Sequence, residues 1–344
     1  MNSAALATSS STRVGEIDAL RGIAALLVVL FHYTTRFDEL YGHAEPPIFT
    51  TPWGHYGVNL FFLISGFVIY MTLERTRTVS DFVVSRFSRL YPAFWAAVPL
   101  TWVIVFFLGL PGKEVSIRDM GLNFLMFHGL FQVPHVDSVY WTLEVELLFY
   151  ALVLFAFRFG WMKKIHLAIL GLLIVRAIYF VAEKSFDLSL PWIVGHLLII
   201  KFIPWFAIGI MIYRLVSNHG TKYLDCLIIL ASLLSLASID SPGLALIGVG
   251  LSLTLYAAAS GKLSVLRWGV LVWLGEISYT LYLLHENIGW SVLLKLKSAG
   301  LETNLAIAVT ILLALAMAGL LTRFVEQPVM KWIRMRYRQR MVLA

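Results

Sequence analysis

The chain has 344 residues, of which 59% are hydrophobic and only 14% charged, and its mean hydropathy is +0.81. A water-soluble domain is nearer half apolar with about a quarter charged, so this composition excludes a soluble globular protein and points to a polytopic membrane protein. The net charge of +7 comes without any nucleic-acid-binding motif, and the single Cys226 excludes an intramolecular disulfide and a cysteine-based metal site.

Residues 1–16 are polar and rich in Ser, Thr and Ala, and are expected to be disordered. The next stretch, 17–35, carries Asp18 and Arg21 in its first turn and ends without a small-residue cleavage site. It therefore reads as a retained helix and not as a signal peptide. Further apolar segments of spanning length lie near 54–73, 90–110, 139–157, 165–182, 193–215, 223–239, 242–260, 268–291 and 303–324. The expected fold is an all-α polytopic membrane helix bundle with about ten transmembrane helices. Residues 17–326 form the membrane domain and 327–344 a basic tail, with no soluble domain expected at either end. The stretch 119–131 is too short to span and reads as re-entrant or interfacial.

Lys and Arg in the connections set orientation. With the N-terminus inside, the inner connections and tail hold eighteen of them, from Arg13 to Arg340. The outer connections hold six: Arg36, Lys113, Arg118, Lys184, Lys295 and Lys297. Both termini are therefore expected in the cytoplasm. The longest loops, 36–53 and 111–138, face outward.

Several polar groups interrupt the spans. Arg21 and His32 bracket an apolar run and are eleven residues apart, close to three helical turns, so they share one face about 16 Å apart. With Arg21 at one surface, His32 falls near the bilayer centre, where an ionisable residue is costly and marks a functional site. Arg21 suits an anion and His32 a general base; a snorkelling Arg and a structural His are the alternative. Arg86 and Arg89 stand one turn apart at the inner end of a span, a spacing that suits bidentate phosphate binding as well as orientation. Glu144 and Glu146 begin another span but do not share a face. Glu146 lies deeper, one turn from Tyr150, and is the better candidate for the bundle interior. Ser65-Gly66 inside a span points to close helix packing. Ser278, Tyr282 and His285 fall on nearby faces and either line a cavity or make structural hydrogen bonds. No HExxH pattern occurs among the histidines, so no metal site is expected.

Taken in order, these residues resemble the acyltransferase 3 family of integral membrane acyltransferases. The blocks are Arg21 with His32, Gly57 to Phe67, Arg86 to Pro92, Trp141 to Glu146, Ser278 to His285 and Glu326 to Pro328. The family often has Asp where this chain has Asn59, so an ionised role there is not available. The resemblance selects Glu146 over Glu144. It implies about ten spans, acetyl-CoA or another acyl-CoA as the cytoplasmic donor, and an extracytoplasmic hydroxyl acceptor, usually on a glycan.

The expected function is thus membrane O-acyl transfer, most simply O-acetyl transfer, to a cell-surface carbohydrate from a bacterial inner (plasma) membrane. His32 is expected as the base, with Glu146 orienting it or holding the acceptor. Arg21, Arg86 and Arg89 are expected at the coenzyme A phosphates, and Tyr282, His285 and Ser65 at the substrate. The rival is a transporter exporting a glycan or small acid, which would also bury His, Arg and Glu. Internal repeats, frequent in transporters, are not visible.

Overall fold

The computed structural model describes residues 3–218 and 221–343, with the side chains of 3–14 and 342–343 outside the description. Much of the expected disordered stretch falls on those N-terminal residues, and His219 also lies outside. The described residues form helices and no strand. In chain order the apolar helices are α1 (Gly15–Tyr41), α2 (Pro52–Glu74), α3 (Val79–Leu108), α4 (Ser138–Arg158), α5 (Trp161–Phe186), α6 (Ile203–Val216), α7 (Lys222–Asp240), α8 (Pro242–Ala259) and α9 (Gly269–Leu284). A further helix, α10 (Glu286–Ser298), precedes α11 (Thr303–Met341). Eight of these are long and apolar enough to cross a membrane; α6 and α9 are shorter. The all-α polytopic bundle is thus as expected, with eight helices of spanning length among the described residues where about ten spans were expected.

Two expected spans are broken. Within 193–215 a short helix, Trp192–Leu197, is separated from α6 by a turn. Pro204 stands in the first turn of α6, where its missing N–H costs nothing, so a new helix begins there. Within 268–291 the break falls at His285, between α9 and α10. Here the Asn287 N–H donates to the Asp137 carboxylate (3.1 Å). The Leu283 carbonyl, the usual helical acceptor for that N–H, takes the Tyr140 hydroxyl (3.2 Å). Non-helical backbone at membrane depth is tolerated where protein groups satisfy it in this way. Two other segments are longer than expected. α3 begins at Val79, which places Arg86 and Arg89 inside one continuous helix, and α11 runs on through the expected tail.

The chain divides into two compact units. The first comprises 1–20, 59–79 and 145–272. At its heart is α6, in which every residue from Ile203 to Tyr213 is buried. A Cβ at Gly66 would strike the Phe206 carbonyl, and one at Gly209 would strike that of Leu63, so these helices touch backbone to backbone. This is the close packing that Ser65-Gly66 led one to expect. Phe149 stacks on Phe206 at 4.0 Å. Buried Asp225 accepts from Arg214 (2.8 Å) and lies 2.7 Å from His166.

The second unit comprises 21–58, 80–144 and 273–344. Its longest buried run is Ile277–Ser291, from α9 across the break into α10. A Cβ at Gly22 would come within 2.5 Å of the Gly275 nitrogen, so α1 and α9 also meet closely. The 119–131 stretch forms a short helix, Ile117–Asn123, and a 3₁₀ turn, His128–Phe131. Fully buried Asn123 knits this loop, donating to Asp119 and Pro134 and accepting from Val136.

Candidate active site

His32 stands where the α-helix of the first span gives way to a π turn, His32–Arg36. Such turns add one residue to the helix and often occur at functional sites. The His32 carbonyl accepts the Phe37 N–H of the turn and the Trp290 indole N–H (3.0 Å). Its ring lies at α9–α10. His32 Nδ1 is 2.8 Å from the Val28 carbonyl and 3.2 Å from His285 Nε2. His285 Nδ1 is 2.9 Å from the Tyr282 carbonyl.

These contacts assign the tautomers. A carbonyl only accepts, so His285 carries its proton on Nδ1 and its Nε2 accepts. His32 Nδ1 then faces two acceptors and carries the His32 proton. His32 Nε2 is left with a lone pair, the form a general base needs. It lies 3.7 Å from Glu286 Oε2, with 13% of the His32 side chain and 4% of the Glu286 side chain exposed. An imidazolium formed at His32 would therefore meet a carboxylate.

Glu286 is itself held. Its Oε1 accepts from the Ser138 hydroxyl (2.5 Å), which accepts from the Lys113 ammonium (3.0 Å). Asp137 beside it is fully buried and accepts from the Asn287 N–H. Burial, with the nearby Glu286 charge adding to it, pushes the Asp137 carboxyl well above its ordinary range. Tyr33 fixes the far side by donating to the His285 carbonyl (2.7 Å). Any side chain at Gly289 would collide with the Tyr33 ring, so glycine is required there.

The arginines form a second cluster in the same unit. Arg89 pairs with Glu326, which is fully buried in a second π turn, Thr322–Glu326. The Arg21 charge also acts on Glu326. Arg86 and Arg89, together with Arg338, act on Arg334, whose Nε donates to Ser88 (3.0 Å). The fold thus places Arg21, Arg86 and Arg89 in one unit and adds Arg334 and a carboxylate counter-ion to them.

Glu146 belongs to the other unit. Its Oε1 accepts from Ser65 (2.9 Å) and from Tyr150 (2.5 Å), so the one-turn pairing with Tyr150 is as expected. Glu144 packs instead at Gly129, with its carboxyl carbon 3.2 Å from where a Cβ would stand there. The two acids thus meet different neighbours, as residues two apart on a helix do. Tyr282 is buried and its hydroxyl is 2.8 Å from that of Thr142. Among the described residues no three His, Cys, Asp or Glu side chains converge as a metal-binding set.

The structure therefore brings His32 and His285 together and adds Glu286, Ser138, Lys113 and Asp137, which sequence reasoning missed. One signal was present: Glu286 follows His285 inside an otherwise apolar segment, where a second charge is as costly as the first.

Comparison with known proteins bears on this arrangement. A family model described as an acyltransferase domain matches residues 14–323. ORF330 of Acidianus two-tailed virus, named as a candidate acetyltransferase, is 25% identical over 285 residues, covering 78% of this chain and 81% of that protein. Acyltransferase MdmB of Streptomyces mycarofaciens is 26% identical over 366 residues, covering 93% and 92%. No solved structure gives a significant match.

Proposed function

The chain belongs to the acyltransferase 3 family and is a multi-pass membrane O-acyltransferase, and from that premise we propose that it moves an acyl group, in the simplest case acetyl, from cytoplasmic acyl-CoA to a hydroxyl of a cell-surface or exported carbohydrate. Family membership makes it an enzyme and displaces the transporter reading. The observation that carries the donor and base assignments is the placement of His32. One helix holds Arg21 and, roughly 16 Å along the same face, a histidine whose Nε2 faces Glu286.

Arg21, Arg86 and Arg89 suit the donor phosphates, because guanidiniums bind oxyanions through paired N–H groups. Arg89 keeps unused N–H groups beside its bond to Glu326. The donor's thiol-ester arm would run from these arginines along α1 toward His32. There His32 Nε2 takes the proton of the acceptor hydroxyl as its oxygen bonds to the acyl carbon. The C–S bond breaks, and the imidazolium returns the proton to the leaving sulfur. Glu286 stabilises the imidazolium meanwhile, and the Val28 carbonyl holds the ring in its productive tautomer. Glu146, with Ser65 and Tyr150, serves the acceptor, and Tyr282 with His285 supports the base.

A positioned base is worth about 10²–10⁴-fold. His32→Gln keeps a hydrogen bond but cannot take the proton. In proteoliposomes with acetyl-CoA and acceptor on opposite sides, it is expected to lose at least about 10²-fold in acyl transfer while acetyl-CoA binding is retained. Glu286→Gln is expected to slow transfer by roughly 10²-fold, because it removes a charge that acts only as the imidazolium forms. Substantial turnover by His32→Gln would place the base elsewhere, with Glu146 the next candidate.

A further inference from the structure

The first unit contains a cavity of about 420 Å³ that no step above uses. Its walls come from the end of α5, the short helix Trp192–Leu197, the turn before α6, and Val145, the neighbour of Glu146 on α4. The size falls within the range of small-molecule sites, and the walls are mainly apolar with a few polar groups.

The walls are held by a dedicated network. Ile199, a buried β-branched residue, has φ of +45°, a strained conformation that persists only when its surroundings enforce it. Ile199 caps the short helix, with the Ile200 N–H on the Gly195 carbonyl (3.0 Å) and its own N–H on the His196 carbonyl (2.9 Å), and the residues that follow are held by Arg176, buried within α5. It donates to the carbonyls of Ile200 (3.1 Å) and Lys201 (3.0 Å) and to the Ser235 hydroxyl (3.0 Å), and it pairs with Asp240. Asp240 is presented by a π turn, Leu236–Asp240. A helix cap and a buried arginine thus hold this cavity wall in one conformation.

The groups facing the cavity define its ligand. Trp192 and Tyr179 supply aromatic rings, and the Tyr179 hydroxyl is tied to the Pro191 carbonyl (3.1 Å), which fixes the ring. Gly195 lets that ring approach: a Cβ there would stand 3.2 Å from Tyr179 Cε1. Glu183, His196 and Lys201 supply hydrogen-bonding groups, and the two charges cancel. A hydrocarbon chain has no use for such groups, and an anionic ligand would not be met by a carboxylate. An uncharged saccharide matches both halves, with C–H faces for the rings and hydroxyls for the polar groups.

We propose that this cavity binds one or two rings of an uncharged saccharide, the acceptor of the acyl transfer. The acceptor role rests on the function proposed above; saccharide binding does not. The test uses the full chain in proteoliposomes and diazirine-bearing methyl glucoside, galactoside, mannoside and rhamnoside. At least one is expected to label residues 179–202, with loss of labelling under excess of its unmodified glycoside. Half-saturation by that glycoside, in transfer or in competition of labelling, is expected to rise about tenfold in Trp192→Ala, whose ring is half-exposed and not part of the core. Glu183→Gln is expected to weaken binding too, with acetyl-CoA half-saturation unchanged in both. Labelling confined to other residues, labelling here by a photoreactive fatty alcohol alone, or unchanged half-saturation in both variants would overturn the proposal. Competed labelling here without acetyl transfer to any glycoside would leave the saccharide site standing and overturn its acceptor role.

Discussion

Arg89 is paired with Glu326 and is also proposed to hold the donor, and the two roles can be separated. Glu326 is fully buried, so removing its partner leaves that carboxylate to the Arg21 charge and the Thr322 hydroxyl, a loss of at most about 3–5 kcal/mol. Arg89→Ala is therefore expected to lower the melting temperature of the purified protein as well as its affinity for acetyl-CoA. Arg89→Ala with Glu326→Ala removes both charges and should recover most of the stability. It should not recover the affinity, because the guanidinium proposed to bind phosphate is still missing. Equal affinity of the double variant and the wild type would reduce these arginines to a structural and orienting role. The same scale explains His32. Its tautomer is set by Val28, four residues back on its own helix, and by His285, 253 residues on.

At the scale of elements, three π turns place the charged groups that matter: His32–Arg36, Leu236–Asp240 and Thr322–Glu326. Each adds one residue and so turns the following side chains to a new face. The loop between α3 and α4 makes a different use of burial. His128 is fully buried without a hydrogen-bond partner for either ring nitrogen, and burial pushes it down to about 4, with the neighbouring His135 adding to the effect. Burial lowers His135 as well, opposed by Glu144. With the loop open, His128 returns to its ordinary value of about 6.5. Between these values the open loop binds a proton that the closed loop refuses. Closure is therefore strongest above pH 6.5 and weakens as pH falls toward 4, by at most about 3 kcal/mol. Hydrogen exchange of residues 117–137, corrected for its intrinsic pH dependence, is expected to quicken from pH 7.5 to pH 5 in the wild type. It should do so much less in His128→Phe; equal acceleration in both would exclude His128 as the cause.

For the whole molecule, the proposed orientation follows from eighteen inner against six outer basic residues in the connections. Ser138 would be a poor reporter of it, because its hydroxyl is engaged by Glu286 and Lys113. Gln132 is exposed in the same loop. In intact cells carrying Cys226→Ser, Gln132→Cys is expected to react with an impermeant thiol reagent. Tags after Met1 and Ala344 should become accessible only after permeabilisation. Protection of Gln132→Cys in intact cells, with labelling after permeabilisation, would reverse the orientation.

What the sequence determined by itself is what a chain must do locally in lipid. The lengths of the apolar runs predicted ten spans, and the regular turn of a helix put Arg21 with His32, Arg86 with Arg89 and Glu146 with Tyr150. Blocks quoted in order led to the family. These are interactions within one helix or properties of composition, so local periodicity carries them. What only the tertiary structure decided depends on contacts between distant segments. The helix break at His285 follows from Asp137 and Tyr140 diverting its hydrogen bonds, groups about 150 residues away. Glu286 at His32, Glu326 at Arg89 and Arg176 beneath the strained turn at Ile199 are likewise pairings of remote residues. No period in the sequence encodes them, because which buried charges meet is fixed only when the helices pack.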